Sequence, residues 1–491
     1  MQTTPTGYFS PKYSIIEKGS RKNTDLLLDG QGFCYTVKCS FPNSRTWMCS
    51  TNRNGLNPCR GTVSQRDEHF LIKKSHNHPP NNHLEDNIKL RNEIKKKALE
   101  SKFDSAKYIV EDVLIDFHKK NPKFNFPQVH NVIRLANRTR QNSRPENPKD
   151  SFFMVNEEFI PNNFYRGEVF CGTGESRRRH LVFMTDTQIE FLSKAKRWYI
   201  DGTFKIVDKK LFQQLFSIHA FIRKGSSIKQ VPLAFVFMAR RKTSDYLAVF
   251  RKILSVLPFT RVKEIVSDFE KAMWKAVKVL NDDCHEKTFK NIKHFGCAFH
   301  FTQAIFERIK KIGLAGIYNK NRKINKFCRR LMCLHLVHYT DVNYVMNCLY
   351  LKAETSSHKT MLLQLLNYVQ KTWVESSVWE PKYWCGFNQP IRTNNDAEGW
   401  HLKLNRRGRD GTPSFYLLLE LLNKEATLIS VQCVLLSQKK LKRSQKKVYK
   451  SIQAQLFSFW EEFATRNNTN NPMNPWELLK LVSFAYSSNS Q

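Results

Sequence analysis

Three carboxylates in the chain have surroundings suited to chemistry on a metal ion. Asp201 ends the apolar run RWYID, Asp268 follows the apolar run VKEIV by two positions, and Glu398 lies in the segment TNNDAEGWH. Carboxylate oxygens are ligands that suit Mg²⁺ and Mn²⁺. Three such groups without a dedicated base suit two-metal phosphoryl transfer, in which the ions activate a water or a 3′-hydroxyl. The chain therefore offers a candidate catalytic triad.

Apolar runs predict the elements that would hold Asp201. The run that ends at this acid is followed by LFSIHAFI (215–222) and VPLAFVFMA (231–239), each bounded by polar residues or glycine. Runs of this length and composition predict three adjacent strands. Gly202 relaxes the backbone just past the acid, so we expect Asp201 to lie where a strand meets a turn.

Asp268 is predicted to lie between a strand and a helix. The strand ends at Val266, and Ser267 or Asp268 is a candidate cap for the helix that follows. Apolar spacing of three and four residues predicts the packed face of this helix: Met273, Ala276, Val277 and Leu280. The cations expected on its other faces are Lys271, Lys275 and Lys278.

Glu398 is predicted to lie on a helix, beside His401 and Asn405. The packed face of the same helix would carry Ala397, Trp400 and Leu404. Asp396 is a competing acid, but two residues correspond to about 200° around a helix, so both acids cannot face one metal. Asp396 lies near the helix start, where it can act as a cap. We therefore expect Glu398 to be the third acid.

Together these segments resemble the transposase domain of Mutator-like elements (MULE). The likeness rests on IDGTF, IVSDFEKAMWKAV, CAFH and TNNDAEGWH in that order, and it covers roughly residues 176–407. It implies an RNase H-like fold and a DDE triad of Asp201, Asp268 and Glu398 that holds Mg²⁺ or Mn²⁺. It also implies strand cleavage at element ends, followed by attack of the freed 3′-hydroxyl on target DNA.

Cys297 and His300 match the C-x-x-H element of that family. Such a pair offers only two metal ligands, whereas a closed zinc site needs four. Metal ligation and packing support for the acids therefore both stay open. We assign Cys297, His300 and His401 as residues that support the catalytic acids.

A second chemical constellation lies in residues 13–80, where polar and apolar residues alternate. Turn signals at 29–32 and at Asn54-Gly55 predict a small β-rich module. Two cysteines and two histidines can close a tetrahedral zinc site in it: Cys49, Cys59, His76 and His78. The metal would supply stability that so small a core lacks. The alternative is two buried thiols and two loop histidines.

This module resembles the FLYWCH zinc finger. The residues that carry the likeness are Leu28, Tyr35, Trp47, Cys49, Cys59, His76 and His78. Cys34 and Cys39 are interpreted as strand residues. The cations around the site suit phosphate contacts and equally suit a solvated surface: Arg45, Arg53, Arg60, Lys73 and Lys74.

The remaining segments are predicted to be mostly helical. Residues 84–148 form a charged linker. Its segment 127–140 is either a DNA-reading helix, with Arg134, Arg138 and Arg140 available to phosphates or guanine edges, or a solvated helix. A helical insertion is expected at about 310–390, and its cations at 320–330 either line a DNA path or are merely exposed.

The region beyond the third acid is leucine-rich and basic. Its run KKLKRSQKK (439–447) is either a nuclear import signal or a solvated helix face. Cys433 is the only cysteine after Glu398, so no second finger is expected there.

Composition indicates a globular protein with a polyanionic partner. The 491 residues are 41% hydrophobic and carry a formal net charge of +37, which favours binding to double-stranded DNA. The start MQTTPTGYFS lacks the basic and apolar regions of a signal peptide, and no apolar run is long enough to span a membrane. We therefore expect a nuclear protein whose 12 cysteines are reduced thiols or metal ligands.

The expected architecture is an α/β, RNase H-like catalytic domain with a helical insertion, preceded by a small β-rich zinc-binding domain. The expected boundaries are 10–83 for the finger, 84–150 for the linker, 151–425 for the catalytic domain and 426–491 for a basic helical end. The predicted function is a homo-oligomeric Mutator-like DNA transposase. Two alternatives are a host-adopted DNA-binding regulator with an inactive core and a nuclease unconnected with element mobility.

Overall fold

A computed structural model describes most of the chain, in two compact units that comprise residues 1–146 and 147–491. The described residues are 13–17, 19–20, 24–51, 57–81, 83–101, 104–225, 227–283, 289–390, 393–408, 412–441, 443, 447–468 and 471–487. The predicted turn at Asn54-Gly55, the cation Arg53 and residues 442 and 444–446 of the basic run lie outside these ranges.

The N-terminal unit begins with a six-stranded antiparallel sheet whose strands follow chain order. The strands are β1 (Ser14–Ile16), β2 (Leu26–Leu28), β3 (Cys34–Phe41), β4 (Ser44–Cys49), β5 (Thr62–Arg66) and β6 (His69–Lys74). The β-rich prediction for this region is confirmed. Cys34 and Cys39 both lie in β3, as predicted.

Three helices complete this unit: α1 (Leu84–Glu100), α2 (Ala106–Lys120) and α3 (Val129–Asn142). Alternate side chains of a strand face opposite ways, so Leu27 packs with Trp47 while Leu26 and Leu28 pack against Ile88 of α1. The sheet therefore shares part of its core with the first helix.

The three helices pack around one apolar core that includes Leu90, Ile94, Val110, Val113, Val132 and Ala136. Arg140 is buried with them, and its guanidinium donates to the carbonyls of Ala98 (3.0 Å) and Ser101 (2.6 Å) at the end of α1. The prediction that Arg140 is available to DNA is wrong, because its donors satisfy helix-end carbonyls.

A seven-stranded mixed sheet forms the centre of the C-terminal unit, in the order β13-β12-β9-β10-β11-β8-β7. Its strands are β7 (Tyr165–Cys171), β8 (Arg178–Phe183), β9 (Arg197–Thr203), β10 (Gln214–Lys224), β11 (Ser227–Met238), β12 (Glu264–Ser267) and β13 (Lys293–Gly296). β12 runs parallel to β9 and β13, and the other neighbours are antiparallel. The three predicted apolar runs are the adjacent strands β9, β10 and β11.

Helices α4 (Asp186–Lys194), α5 (Thr243–Val256) and α6 (Lys271–Asp282) pack on this sheet. The predicted packed face of α6 is buried and its three lysines are exposed. The capping prediction is wrong: Glu270 is the N-cap residue, while the Ser267 hydroxyl lies 2.8 Å from His294 Nε2. This contact satisfies the hydroxyl within the sheet.

The rest of the unit is helical. The helices are α7 (Ala298–Lys311), α8 (Ala315–Lys320), α9 (Arg322–Met332), α10 (Val342–Glu354), α11 (Lys359–Val369), α12 (Pro381–Trp384), α13 (Asn395–Gly408), α14 (Phe415–Ser437), α15 (Lys447–Arg466) and α16 (Pro475–Ser487). Among the described residues between β13 and α13 there is no strand, as the helical prediction for about 310–390 requires.

The helical region has a core of its own, and its C-terminal helices belong to that core. Trp460 of α15 and Leu479 of α16 are buried with Ile309, Leu331 and Leu349. Within the ranges described above, no helix combines the length and apolar character needed to cross a membrane.

The cations expected on the insertion differ in their surroundings. Lys320, Arg322 and Lys326 are exposed. Arg330 instead stacks over the ring of Trp476, at 5.1 Å from its centroid. Arg329 donates to the carbonyl of Tyr486 at 3.4 Å, so it also takes part in the packing of α9.

Candidate active site and metal centres

Asp201 lies within β9, two residues before the strand ends, and it is almost fully buried. The expectation that it ends the strand is therefore wrong. A Cβ on Gly202 would come within 2.5 Å of Gln214 Oε1. The space beside Gly202 is therefore occupied by the buried Gln214 side chain, and no turn is involved.

A chain of contacts leads from Asp201 into the sheet. His401 Nδ1 lies 2.9 Å from Asp201 Oδ2, and His401 Nε2 lies 2.9 Å from the hydroxyl of Ser217. Ser217 is the cross-strand partner of Asp201, and its hydroxyl also lies 2.8 Å from His219 Nε2. Burial and the neighbouring His401 hold the pKa of His219 well below its usual value. This network orients the imidazole that contacts Asp201.

Sequence reasoning missed Ser217 and His219. Their signal is present in the run LFSIHAFI, where two polar residues stand two positions apart and therefore face the same side of β10. Trp400 covers that side of the sheet, since its ring stacks on Phe235 at a centroid distance of 5.6 Å. The position of Trp400 on a packed face of α13 agrees with the prediction.

Asp268 directly follows β12, which is the parallel neighbour of β9. Its backbone carbonyl accepts hydrogen bonds from Trp274 Nε1 and from the Ser267 hydroxyl, each at 2.8 Å. Burial raises the pKa of the Asp268 carboxyl to about 7, and the charges of Glu270 and Asp201 add to the effect. Asp268 and Asp201 are therefore electrostatically coupled in a poorly solvated site.

Glu270 is a further acid beside Asp268 that sequence reasoning missed. Its carboxylate accepts a hydrogen bond from Tyr246 at 2.8 Å and lies 3.8 Å from Arg241. Burial raises its pKa despite these partners. Its position two residues after Asp268, just before the predicted helix, could have pointed to it.

Glu398 reaches the same region from α13. Burial raises its pKa to about 7, and the charge of Asp201 contributes. Its Oε1 atom is buried and accepts no hydrogen bond from any described residue. The nearest imidazole nitrogen, His300 Nε2, is 3.6 Å away, which is longer than a hydrogen bond. A buried carboxylate oxygen of this kind suits a cation.

Asp396 has a different environment from Glu398. Its carboxylate pairs with the guanidinium of Arg443, whose Nε and Nη2 atoms both donate to Oδ2, at 3.0 and 2.5 Å. It lies inside the first turn of α13, so the expectation that it caps the helix is wrong. The Arg443 guanidinium therefore neutralises the Asp396 carboxylate, which needs no metal ion as a partner.

Cys297, His300 and Glu398 bring three possible metal-ligand atoms within 4.8 Å of one another. The Cys297 sulfur accepts a hydrogen bond from the backbone amide of Asn394 at 3.2 Å. His300 Nδ1 and Asn394 Oδ1 are buried and have no hydrogen-bond partner in the described part of the chain. The geometry thus adds a third possible ligand to the C-x-x-H pair, one fewer than a closed zinc site needs.

Cys171, His180 and Asp245 form another compact group, but its polar atoms are occupied. The amide of Ala239 donates to His180 Nδ1 at 3.2 Å, so Nε2 carries the proton and donates to Asp245 at 3.2 Å. Arg178 donates to the same carboxylate at 2.7 Å. This group is a structural network that joins β8 to α5.

The four predicted ligands of the N-terminal module converge. Cys49 Sγ lies 3.3 Å from His78 Nε2, Cys59 Sγ lies 3.4 Å from His76 Nδ1, and all four ligand atoms lie within 4.8 Å of one another. They form a possible metal-binding group.

The surroundings of this group select one nitrogen of each histidine. His78 Nδ1 donates to the carbonyl of Pro79 at 2.9 Å, which leaves Nε2 unprotonated and able to bind a metal. His76 Nε2 lies 2.8 Å from the hydroxyl of Tyr35, which leaves Nδ1 facing Cys59. Phe33 stacks on the His76 ring at 3.8 Å, so the ring orientation is also held by packing.

Comparison with known families places part of the chain beside one of them. Residues 197–304 match the MULE transposase domain. The match supports a Mutator-like transposase in general terms. No curated protein matches the chain.

The MULE match covers β9 to β13 and the first half of α7. It includes Asp201, Asp268, Cys297 and His300, but it ends before Glu398 and His401. The two residues outside the MULE segment nevertheless lie beside the residues inside it: His401 contacts Asp201, and Glu398 approaches His300. The N-terminal metal-binding group also lies outside the match.

Proposed function

We propose that this chain is a DDE-type DNA transposase of the Mutator-like class, with Asp201, Asp268 and Glu398 as its catalytic acids. One observation carries the proposal. The three acids lie close together. The charge of Asp201 contributes to the raised pKa of Asp268, which also belongs to the MULE segment, and of Glu398, which lies 130 positions after Asp268. Acids whose pKa values are raised by burial and by a neighbouring charge mark a candidate functional site.

The topology of the larger sheet supports an RNase H-like core. Strands β9, β10 and β11 form an antiparallel meander, and β12 and β13 then lie parallel to β9 on its other side. Asp201 lies on β9 and Asp268 follows β12, so two of the acids come from adjacent parallel strands. An RNase H-like fold places its acids in this manner.

Asp201, Asp268 and Glu398 fit Mg²⁺ or Mn²⁺ better than they fit an arrangement without metal. Oε1 of Glu398 lacks a hydrogen bond, and burial makes the charged forms of Asp268 and Glu398 costly. Oxygen ligands and negative charge are what these ions require. The bound ions would activate the attacking oxygen and stabilise charge on the phosphate and the leaving group.

The chain's own residues hold the acids in place. His401 donates to one oxygen of Asp201 while the amide of Gly202 donates to the other at 2.9 Å, so the carboxylate has one orientation. Ser217 and His219 fix the far nitrogen of His401. The pairing of Tyr246 with Glu270 limits the freedom of a fourth acid near Asp268.

We propose that the N-terminal group binds Zn²⁺ in a FLYWCH-type finger. Tetrahedral coordination with usual Zn–S and Zn–N bond lengths separates sulfur from nitrogen by about 3.6 Å. The two S···N distances of 3.3 and 3.4 Å are close to this value. Backbone amides two residues beyond each cysteine, those of Thr51 and Gly61, lie 3.4 Å from the sulfurs and would stabilise thiolates.

The proposed partners follow from the reaction and the charge. Double-stranded DNA would be the substrate, and the formal charge of +37 favours it. Action on chromosomal DNA would place the protein in the nucleus. Joining two element ends would require a homo-oligomer, since each copy offers one set of acids.

The test is cleavage of a duplex that carries the genomic sequence flanking the coding region, by the full chain with Mg²⁺. Asp201→Asn and Asp268→Asn should each lower the cleavage rate by about 100-fold or more while leaving duplex binding intact. Asp282→Asn is the matched control, because Asp282 is exposed at the end of α6.

Binding without metal-dependent cleavage by the parent protein would contradict the transposase proposal and favour the DNA-binding regulator. Equal cleavage by the parent and Asp201→Asn would show that the acids do not perform the reaction. Cleavage confined to nonspecific DNA would favour a nuclease unconnected with element mobility.

A further inference from the structure

The exposed face of α3 carries arginine, asparagine, glutamine and histidine side chains and no acid. Six exposed residues lie on it: His130, Asn131, Arg134, Asn137, Arg138 and Gln141. At 100° per residue they fall within an arc of about 120°, so they form one continuous face. The helix contains no acidic residue.

The other two helices of the same bundle have a different surface. Acids and lysines both lie on these helices, and some of them form ion pairs within one helix, as Lys89 does with Glu85 and Lys107 with Glu111. Such mixed charge is typical of a solvated helix. Arg134 and Arg138 take part in no ion pair in the part of the chain that the structure describes, so their guanidinium groups are available to a partner.

The opposite side of α3 holds the helix firmly. Val132 and Ala136 are buried in the core of the three-helix bundle. Arg140 bonds to two carbonyls at the end of α1. A rigid support of this kind allows an exposed helix face to present side chains in one geometry.

We propose that α3 is a DNA-reading helix that inserts its exposed face into the major groove. Arg, Asn and Gln are the side chains whose paired groups match the edges of guanine and adenine. The face extends from residue 130 to 141, about 16 Å, which corresponds to about five base pairs. The proposal deepens the proposed function and rests on its DNA-binding part, since it names the residues that read sequence.

The alternative partner of a cationic helix is an acidic protein segment. Two arginines would serve that purpose, and the amides of Asn131, Asn137 and Gln141 could donate to carboxylates, but their carbonyl oxygens would find no donor on a carboxylate. Amide groups do add to the recognition of adenine. The combination on α3 therefore favours a base edge over an acidic peptide.

The experiment uses the full-length protein in buffer without Mg²⁺, so that binding is measured apart from cleavage. Duplexes are first selected from a randomised pool by the parent protein, and a scrambled version of the selected duplex serves as the nonspecific probe. Asn131→Ala and Arg134→Ala should each lower the ratio of specific to nonspecific affinity by about 10-fold. Lys96→Ala, which removes an exposed cation of α1, should leave this ratio unchanged.

Failure of the parent protein to enrich any sequence would overturn the inference. So would an unchanged ratio of specific to nonspecific affinity in Asn131→Ala and Arg134→Ala. An equal loss of affinity for the selected and the scrambled duplex would also overturn it, since it would indicate phosphate contact alone. Both residues are exposed, so their truncation should leave the fold intact, and thermal unfolding temperatures equal to the parent's check this. The binding result is independent of catalysis, because a protein without cleavage activity can still prefer the selected duplex over the scrambled one.

Discussion

At the scale of single residues, the contrast between Glu398 and Asp396 gives a sharp prediction. Glu398→Gln keeps the side-chain shape but removes the charge that would bind metal, so Mg²⁺-dependent cleavage should fall by about 100-fold or more. Asp396→Asn only weakens the pair with Arg443 and should keep most activity. The measurement is cleavage by both variants with circular dichroism as the folding control. Loss in Asp396→Asn alone would contradict the assignment of Glu398.

Asp268 should make the metal-free protein less stable as the pH rises. Its folded-state pKa is raised to about 7 from an ordinary value near 4, so between these values the folded state holds a proton that the unfolded state releases. The free energy of unfolding therefore falls as the pH rises through this interval and levels off above it. Asp268→Asn removes this charge and should unfold a few degrees higher than the parent at pH 8.

The measurement is thermal unfolding at pH 5.5 and pH 8 without Mg²⁺. The increase in unfolding temperature of Asp268→Asn over the parent should be smaller at pH 5.5 than at pH 8. Added Mg²⁺ should raise the unfolding temperature of the parent more than that of the variant. An equal gain at both pH values would show that charge on Asp268 is not the cause.

At the scale of elements, the proposed zinc site depends on a close approach between Gly61 and the ring of His76. A Cβ on Gly61 would come within 2.8 Å of the His76 ring, which faces Cys59 through Nδ1. Gly61→Ala should therefore displace this ligand and lower zinc affinity by about 10-fold or more. Gly316→Ala is the matched control, because a Cβ there meets no atom within 4 Å.

Zinc content per chain after dialysis against a weak chelator is the readout. Equal zinc retention by Gly61→Ala and Gly316→Ala would contradict the assigned ligand set. The sheet also shares its core with Ile88 of α1, so a fragment for this purpose should include the three helices.

Arg140 provides the second prediction at this scale. Arg140→Ala leaves the carbonyls of Ala98 and Ser101 without their donors and should lower the stability of the N-terminal unit by about 2 kcal/mol. Arg138→Ala, on the exposed face of the same helix, should leave stability unchanged. Urea unfolding of residues 13–146 compares the two, and equal midpoints would contradict the anchoring role of Arg140.

At the scale of the whole molecule, the excess of cations predicts salt-dependent binding. Duplex binding with a charge of +37 should release counterions, so affinity should fall steeply between low and physiological salt. Fluorescence anisotropy on a labelled duplex at several salt concentrations measures the slope. A nearly flat dependence would show that the positive charge serves another purpose.

The sequence by itself determined the local elements and the candidate ligands. The apolar runs of β9, β10 and β11 and the buried face of α6 follow from repeating patterns among neighbouring residues, and such patterns are local. The convergence of the four N-terminal cysteines and histidines was predicted because these residue types suit a metal site.

Only the tertiary structure decided which of these residues meet. Ser217 and His219 join the Asp201 network because β10 pairs with β9 in one register, and Arg140 turns inward because the end of α1 leaves two carbonyls to be bonded. Glu398 comes near Asp201 because α13 packs across β9, after a helical region that has its own core. Contacts over such separations depend on how whole elements pack, and no pattern among neighbouring residues encodes them.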